Sequence, residues 1–225
     1  MLYVFLLSGY LLINRYNAGR ETFPTFEGTW HYGLIDSRIP FVPWFIWLYN
    51  FLYLSLLAPV LVVRKAEDFR KMVFCYLVLF FICFSIFLIY PVKMIRPFET
   101  DIGELMTTST VFEMIADKSL LATYNIKLTG STFFLLMLYV YDRPFNVFPS
   151  LHIANAFLAG IISYRFNRWY GVFWIAFAIV IYITTLLVKQ HYFMDGVPSI
   201  IMAFGMYYLA FNTRLIFKDR EEGKN

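Results

Sequence analysis

Charge is scarce in this sequence. Asp, Glu, Lys and Arg together make up 15% of the 225 residues, against about a quarter in an ordinary soluble domain. No basic cluster is long enough to track a nucleic-acid backbone, which argues against a nucleic-acid partner. Cysteine is nearly absent. Cys75 and Cys83 fall in one apolar run, where eight residues of helix would separate them by about 12 Å along the axis, too far to bridge. A disulfide scaffold is thereby excluded. There is no internal repeat and no low-complexity stretch. What is abundant is apolar: 60% of the residues, with 26 Phe and 17 Tyr. A soluble domain of this length could not hide that much apolar surface. The composition predicts an integral membrane protein, with lipid as the solvent for the outer faces of its helices.

Six apolar runs carry this reading: Met1–Ile13, Val42–Val63, Met72–Tyr90, Leu151–Ser163, Gly171–Val188 and Gly196–Phe211. Four approach the ~20 residues that cross a hydrocarbon core. The fourth run is short unless it extends through Tyr164–Phe166. The first is shorter still, and is read as a span with Asn14–Tyr16 in the interface. The expectation is an all-α, multi-pass bundle of six transmembrane helices forming a single membrane domain over residues 1–225. Both termini then share one side. Arg64, Lys65, Arg70 and Lys71 crowd one short loop, Arg165 and Arg168 another, and Arg214, Lys218, Arg220 and Lys224 the tail. Such dense short segments belong in the cytoplasm. The five tryptophans lie near proposed span ends. Between the third and fourth runs, Glu104–Lys118 reads as an amphipathic segment, and Phe133–Tyr141 as a short apolar run at or in the interface. His31 is read as a solvated loop residue.

Ionisable residues beside a bilayer are costly and are candidates for function. Arg96, Ser150, His152, Lys189, His191 and Asp195 all fall on the face opposite the termini. If Asp195 begins the sixth helix, its carboxylate can bond one nitrogen of His191, four residues earlier, leaving the other nitrogen free as a nucleophile. His152 can give a proton to a leaving oxygen. Arg96, Lys93, Lys189 and Arg143 can hold an anion, and Ser150 can open a helix whose N-terminus seats one. A nucleophile, an acid and an oxyanion clamp, with no metal and no cofactor, are the parts of phosphoryl transfer through a phosphohistidine.

Pro149-Ser-Leu-His152, followed by Lys189-Gln-His-Tyr-Phe-Met-Asp195, resembles the type 2 phosphatidic acid phosphatase superfamily over roughly residues 30–215. Asp36-x2-Ile-Pro-Phe-x-Pro43 and Tyr90-Pro91 resemble its inositol phosphotransferase-like branch, which includes inositol phosphorylceramide synthases. The resemblance implies a six-helix membrane core, with a catalytic part at about 90–215. It implies His191 as nucleophile, Asp195 as its orienting partner, His152 as general acid, and Ser150 and Arg96 as phosphate ligands. The implied substrates are phosphomonoester or diphosphate lipids, attacked at the extracytoplasmic or lumenal face. Of the first family motif, Lys-x6-Arg-Pro, only Arg96-Pro97 matches; Ile89 stands in the lysine place, with Lys93 nearby. In the third motif Thr184 and Thr185 stand for serine and arginine, and Lys189 can supply the missing charge.

Other readings use the same residues. The histidines can each bond a carbonyl at a helix end, or join Asp195 in a zinc site that lacks an evident fourth ligand. Arg96, Lys93 and Arg143 can bind lipid headgroups, and Asp36 and Arg38 can be a turn and an anchor. The protein can be a transporter-like or non-catalytic membrane protein, although the central parts of the third, fifth and sixth runs lack charge. The leading expectation is a membrane lipid-phosphate phosphatase; the alternative is a phosphotransferase that uses the same phosphohistidine to move a phospho-headgroup to an alcohol such as inositol.

Overall fold

The computed structural model describes residues 2–20, 24–27, 29–96 and 129–213. All its regular elements are helical. In chain order they are α1 (Leu2–Ala18), α2 (Trp30–Leu34), α3 (Ile46–Asn50), α4 (Leu52–Ser55), α5 (Ala66–Ile89), α6 (Gly130–Tyr141), α7 (Leu151–Phe166), α8 (Arg168–Leu187) and α9 (Phe193–Phe211). Short 3-10 turns at Pro43–Phe45 and Pro59–Leu61 flank α3 and α4. Together these make one broken apolar rod, with a proline at each end where its missing N–H does least harm.

Four segments are long and apolar enough to cross a membrane: Pro43–Leu61, Ala66–Ile89, Arg168–Leu187 and Phe193–Phe211. The chain is thus a multi-pass, all-helical membrane protein. Outward-facing Phe81, Ile89, Trp169 and Ile201 are each more than three-fifths exposed, as lipid-facing side chains are. Helix α1 runs past Ile13 to Ala18. The apolar run at 133–141 lies in the 12-residue helix Gly130–Tyr141, about 18 Å long, opened by a reciprocal cap between Thr129 and Thr132. The segment 104–118 and the basic tail from 214 lie outside the described residues.

At the centre stands α7. Every residue from Ile153 to Ser163 is buried, and α7 packs against α4, α5, α8 and α9. A helix apolar all round belongs in such a position. Small residues let neighbours approach. At Gly160 an added Cβ would lie 2.9 Å from the Ile175 backbone nitrogen, and at Gly171 only 2.1 Å from Tyr164 Cα. The α7–α8 hairpin closes over this contact. Its two helices share the turn at Asn167, whose side chain caps α8 by accepting from Tyr170 N–H at 3.1 Å.

Candidate active site

The C-terminal ends of α5 and α8 and the N-terminal ends of α7 and α9 meet at one end of the bundle, and the polar residues gather there. Ser150 caps α7: its Oγ accepts from Ile153 N–H at 3.3 Å, and its own N–H donates to the Asp195 carbonyl. That backbone bond joins the two motif segments directly.

Helix α8 ends in a Schellman turn, with Gln190 N–H on Thr185 O and Lys189 N–H on Leu186 O. The left-handed residue in that turn is Lys189, with φ 51°, at a position that favours glycine. The lysine side chain explains its presence. Its Nζ donates to the carbonyls of Ile39 (2.7 Å) and Asp36 (3.2 Å). Asp36 Oδ1 in turn accepts from Phe193 N–H, the first residue of α9, at 2.7 Å. The 36–39 turn and the 189–193 loop therefore clasp each other, and Asp36 sits at a helix N-terminus, where a carboxylate is favoured. Burial lowers the Lys189 ammonium below its ordinary pKa, opposed by Asp36.

His191 lies inside this loop, 2% exposed. Its Nδ1 is 2.9 Å from Val147 O and 3.2 Å from Asp195 Oδ2. Both partners are acceptors, so Nδ1 carries the proton and Nε2 keeps its lone pair. Asp195 Oδ2 is held in place by Tyr192 N–H at 2.8 Å. Burial pushes the His191 pKa down to about 4, while Asp142 and the Val147 carbonyl pull it up. The ring is neutral at pH 7, as a nucleophile must be. His152 Nδ1 lies 3.0 Å from His191 Nε2. The two histidines of the motifs, 39 residues apart in sequence, thus touch through the atoms that matter.

Arg96 is buried beside them. It donates to Asp142 O at 2.6 Å and to the Gln190 side-chain oxygen, and its guanidinium stacks 4.6 Å over the Tyr139 ring. Lys189, expected at the phosphate, spends its ammonium on the carbonyls of the 36–39 turn. Lys93 is half-buried, with its ammonium 5.9 Å over the Phe145 ring, and Arg143 is exposed at the rim. Among the described residues, no group of three or more His, Cys, Asp or Glu could hold a metal ion.

Several site residues were not singled out from the sequence. Tyr49, fully buried, places its hydroxyl 3.2 Å from His152 Nε2. Asp142 Oδ1 accepts from Tyr10 at 2.7 Å and from Asn14 at 3.3 Å. Asn14 also donates to Arg143 O, and Asn17 to Phe87 O and Asn146. The signal for the two asparagines was present: three residues apart near the end of an apolar helix, they share a face. The tyrosines were hidden among 17. Beside His152 a cavity of about 230 Å³ is lined by Tyr10, Leu52, Phe80, Leu138 and Asn155 among others. It is mostly apolar, and His152 and Asp142 form part of its polar wall.

A family model described as "PAP2 superfamily" matches residues 26–209. A PA-phosphatase related-family protein of Dictyostelium discoideum is 37% identical over 76 residues, a third of this chain. The chain spans only about a seventh of the length of that relative, 14%. No solved structure matches the chain significantly.

Proposed function

The chain belongs to the PAP2 superfamily, and from that premise we propose that it is a membrane lipid-phosphate phosphatase working through a phosphohistidine on His191. The observation that carries the reading is the contact between His191 Nε2, unprotonated because Nδ1 faces two acceptors, and His152 Nδ1 at 3.0 Å. A phosphoryl group enters by parting this pair. His191 Nε2 then attacks phosphorus and the phosphorus–oxygen bond to the lipid breaks. His152, having taken up one proton with the anionic substrate, protonates the leaving oxygen from Nδ1. In the second half His152 accepts a proton from water, the water oxygen attacks phosphorus, and the nitrogen–phosphorus bond breaks to release phosphate.

Arg96 and the N-terminus of α7 at Ser150 are the phosphate ligands of this reading, with Lys93 and Arg143 nearer the rim. Lys189 serves by holding the loop. The apolar cavity beside His152 suits a lipid chain whose phosphate reaches the histidines. In this reading α1 and α7 also cross the bilayer, giving six spans. The dense basic loops put the termini in the cytoplasm and the site on the opposite face.

The test is phosphate release from phosphatidic acid, phosphatidylglycerol phosphate and a polyprenyl diphosphate by purified protein, with His191→Ala beside it. Release by the wild type and none by His191→Ala is the expected result. Transfer of a phospho-headgroup to added inositol, with no phosphate released, would replace hydrolysis by the phosphotransferase activity of the inositol branch. Neither activity in the wild type would refute both.

A further inference from the structure

We propose that Tyr49 is a positioning residue that holds His152 by its Nε2 edge so that Nδ1 stays aimed at His191, a role that deepens the phosphohistidine reading and rests on it for its catalytic meaning. One chain of hydrogen bonds sets the protons of the pair. His191 Nδ1 faces Val147 O and Asp195 Oδ2 and so bears the proton, which makes Nε2 an acceptor. His152 Nδ1, 3.0 Å away, must then be the donor. In the neutral ring this leaves His152 Nε2 as an acceptor, and Tyr49 Oη, 3.2 Å away, donates to it. Each bond dictates the next, and all three point the same way.

The ring has little freedom to escape this arrangement. Tyr49 and Tyr10 both meet it edge to face, with centroids at 5.5 and 6.2 Å. Among the described residues, His152 is the hydrogen-bond partner of the Tyr49 hydroxyl. A hydroxyl suits the position because it can both donate and accept. When His152 takes up a proton on Nε2, Tyr49 turns from donor to acceptor and keeps its own proton. Nδ1 stays aimed at His191 in both states. After Nδ1–H goes to the leaving oxygen, Nε2–H remains on Tyr49, and the bare Nδ1 is the base that water needs. Loss of the Nε2 proton with phosphate release restores the starting tautomer.

Imidazole nitrogens report this directly. The protein has three histidines; His31→Gln leaves the pair. Long-range ¹⁵N–¹H spectra of the histidine-labelled protein in nanodiscs near pH 7 should show two neutral rings, both protonated at Nδ1. In His31→Gln/Tyr49→Phe both rings should stay protonated at Nδ1, because His191 Nε2 still needs a donor, while the His152 Nε2 resonance should move toward that of an unbonded pyridine-type nitrogen. A ring protonated at Nε2 or at both nitrogens before the tyrosine is changed would overturn the proposal, and so would an unmoved His152 Nε2 resonance in the Phe variant. These readouts hold whatever the protein's activity.

Turnover supplies the second arm. With an alkyl phosphate, whose leaving oxygen needs a proton, Tyr49→Phe should lower kcat by about 10–100-fold. With p-nitrophenyl phosphate, whose leaving group needs none, the pre-steady-state burst of p-nitrophenol, which reports the first step alone, should slow by less than about threefold. Equal losses on both substrates would make Tyr49 merely structural and refute the positioning role. No turnover by the wild type would refute the phosphatase reading, while the spectra would still decide the tautomer.

Discussion

Replacing Asp195 with Asn should cost this site far less than the corresponding change costs a Ser-His-Asp triad. In serine proteases the amide drives the histidine into the wrong tautomer, and kcat falls by about 10⁴. Here one carboxylate oxygen, Oδ2, accepts from Tyr192 N–H at 2.8 Å and faces His191 Nδ1 at 3.2 Å. The backbone donor forces an asparagine to put its carbonyl oxygen in that place, so both bonds survive. Val147 O, the nearer partner of Nδ1 at 2.9 Å, holds the tautomer independently. What disappears is charge. A hydrogen bond to a charged acceptor is worth about 1.5–3 kcal/mol and a neutral one about 0.5–1.5. The difference of about 1–2 kcal/mol corresponds to a loss of about 5–30-fold in kcat. The assay is phosphate release in detergent micelles at saturating lipid phosphate, paired with the imidazole spectrum of the variant. A loss of a thousandfold or more, with His191 protonated at Nε2, would show that the carboxylate alone sets the tautomer and would refute the reasoning.

The Asp36 clasp is testable by stability. Asp36→Ala removes the acceptor of Phe193 N–H, a loss of about 1–3 kcal/mol or ~3–10 °C in Tm for a chain of this size, whereas Asp36→Asn should recover most of it. Cys75 and Cys83 are free and fully buried, so a thiol-reactive fluorophore reports the unfolding; equal Tm for wild type and Asp36→Ala would rule the clasp out. Gly171→Ala should prevent a monodisperse folded protein, since its Cβ would lie 2.1 Å from a backbone atom, while Gly205→Ala, with nothing within 4 Å, should behave as wild type in size-exclusion chromatography. His191, with its pKa lowered to about 4 mainly by burial, binds its proton more weakly folded than unfolded. Its contribution to stability is therefore fully present above about pH 6.5 and is lost as pH falls toward 4. His191→Gln should flatten that part of the Tm profile, and an unchanged slope would contradict the neutral buried imidazole.

Apolar runs were readable in the sequence because lipid demands them. Arg168–Leu187 matches the expected fifth run closely, and Ala66–Ile89 contains the expected third up to Ile89 but starts at Ala66 instead of Met72, taking Arg70 and Lys71 from the expected loop into the helix. The breaks inside Pro43–Leu61 were not readable, because a continuous apolar run looks the same whether its helix is whole or interrupted by 3-10 turns. His152, His191 and Asp195 were legible as a group because their spacing carries chemistry. Lys189 was legible only as a charge. Its left-handed backbone and its bonds to Asp36 O and Ile39 O depend on a turn some 150 residues earlier. Tyr49 was illegible for a similar reason: one aromatic among many apolar neighbours gains meaning only when the fold brings His152 to its hydroxyl.

Helix α1 lies wholly before residue 26, where the family match begins, yet Tyr10, Asn14 and Asn17 bind Asp142, Arg143 O and Asn146 in the segment leading to Ser150. A fragment cut to the family boundaries would keep every motif residue and lose the floor on which the Asp142–Asn146 loop rests. Several buried polar groups would lose partners at once, each at about 1–3 kcal/mol. Grafting the 142–152 segment into a relative would meet the same obstacle unless the first helix travelled with it. The unit of exchange in this protein is therefore a pair of distant segments, a helix and a loop.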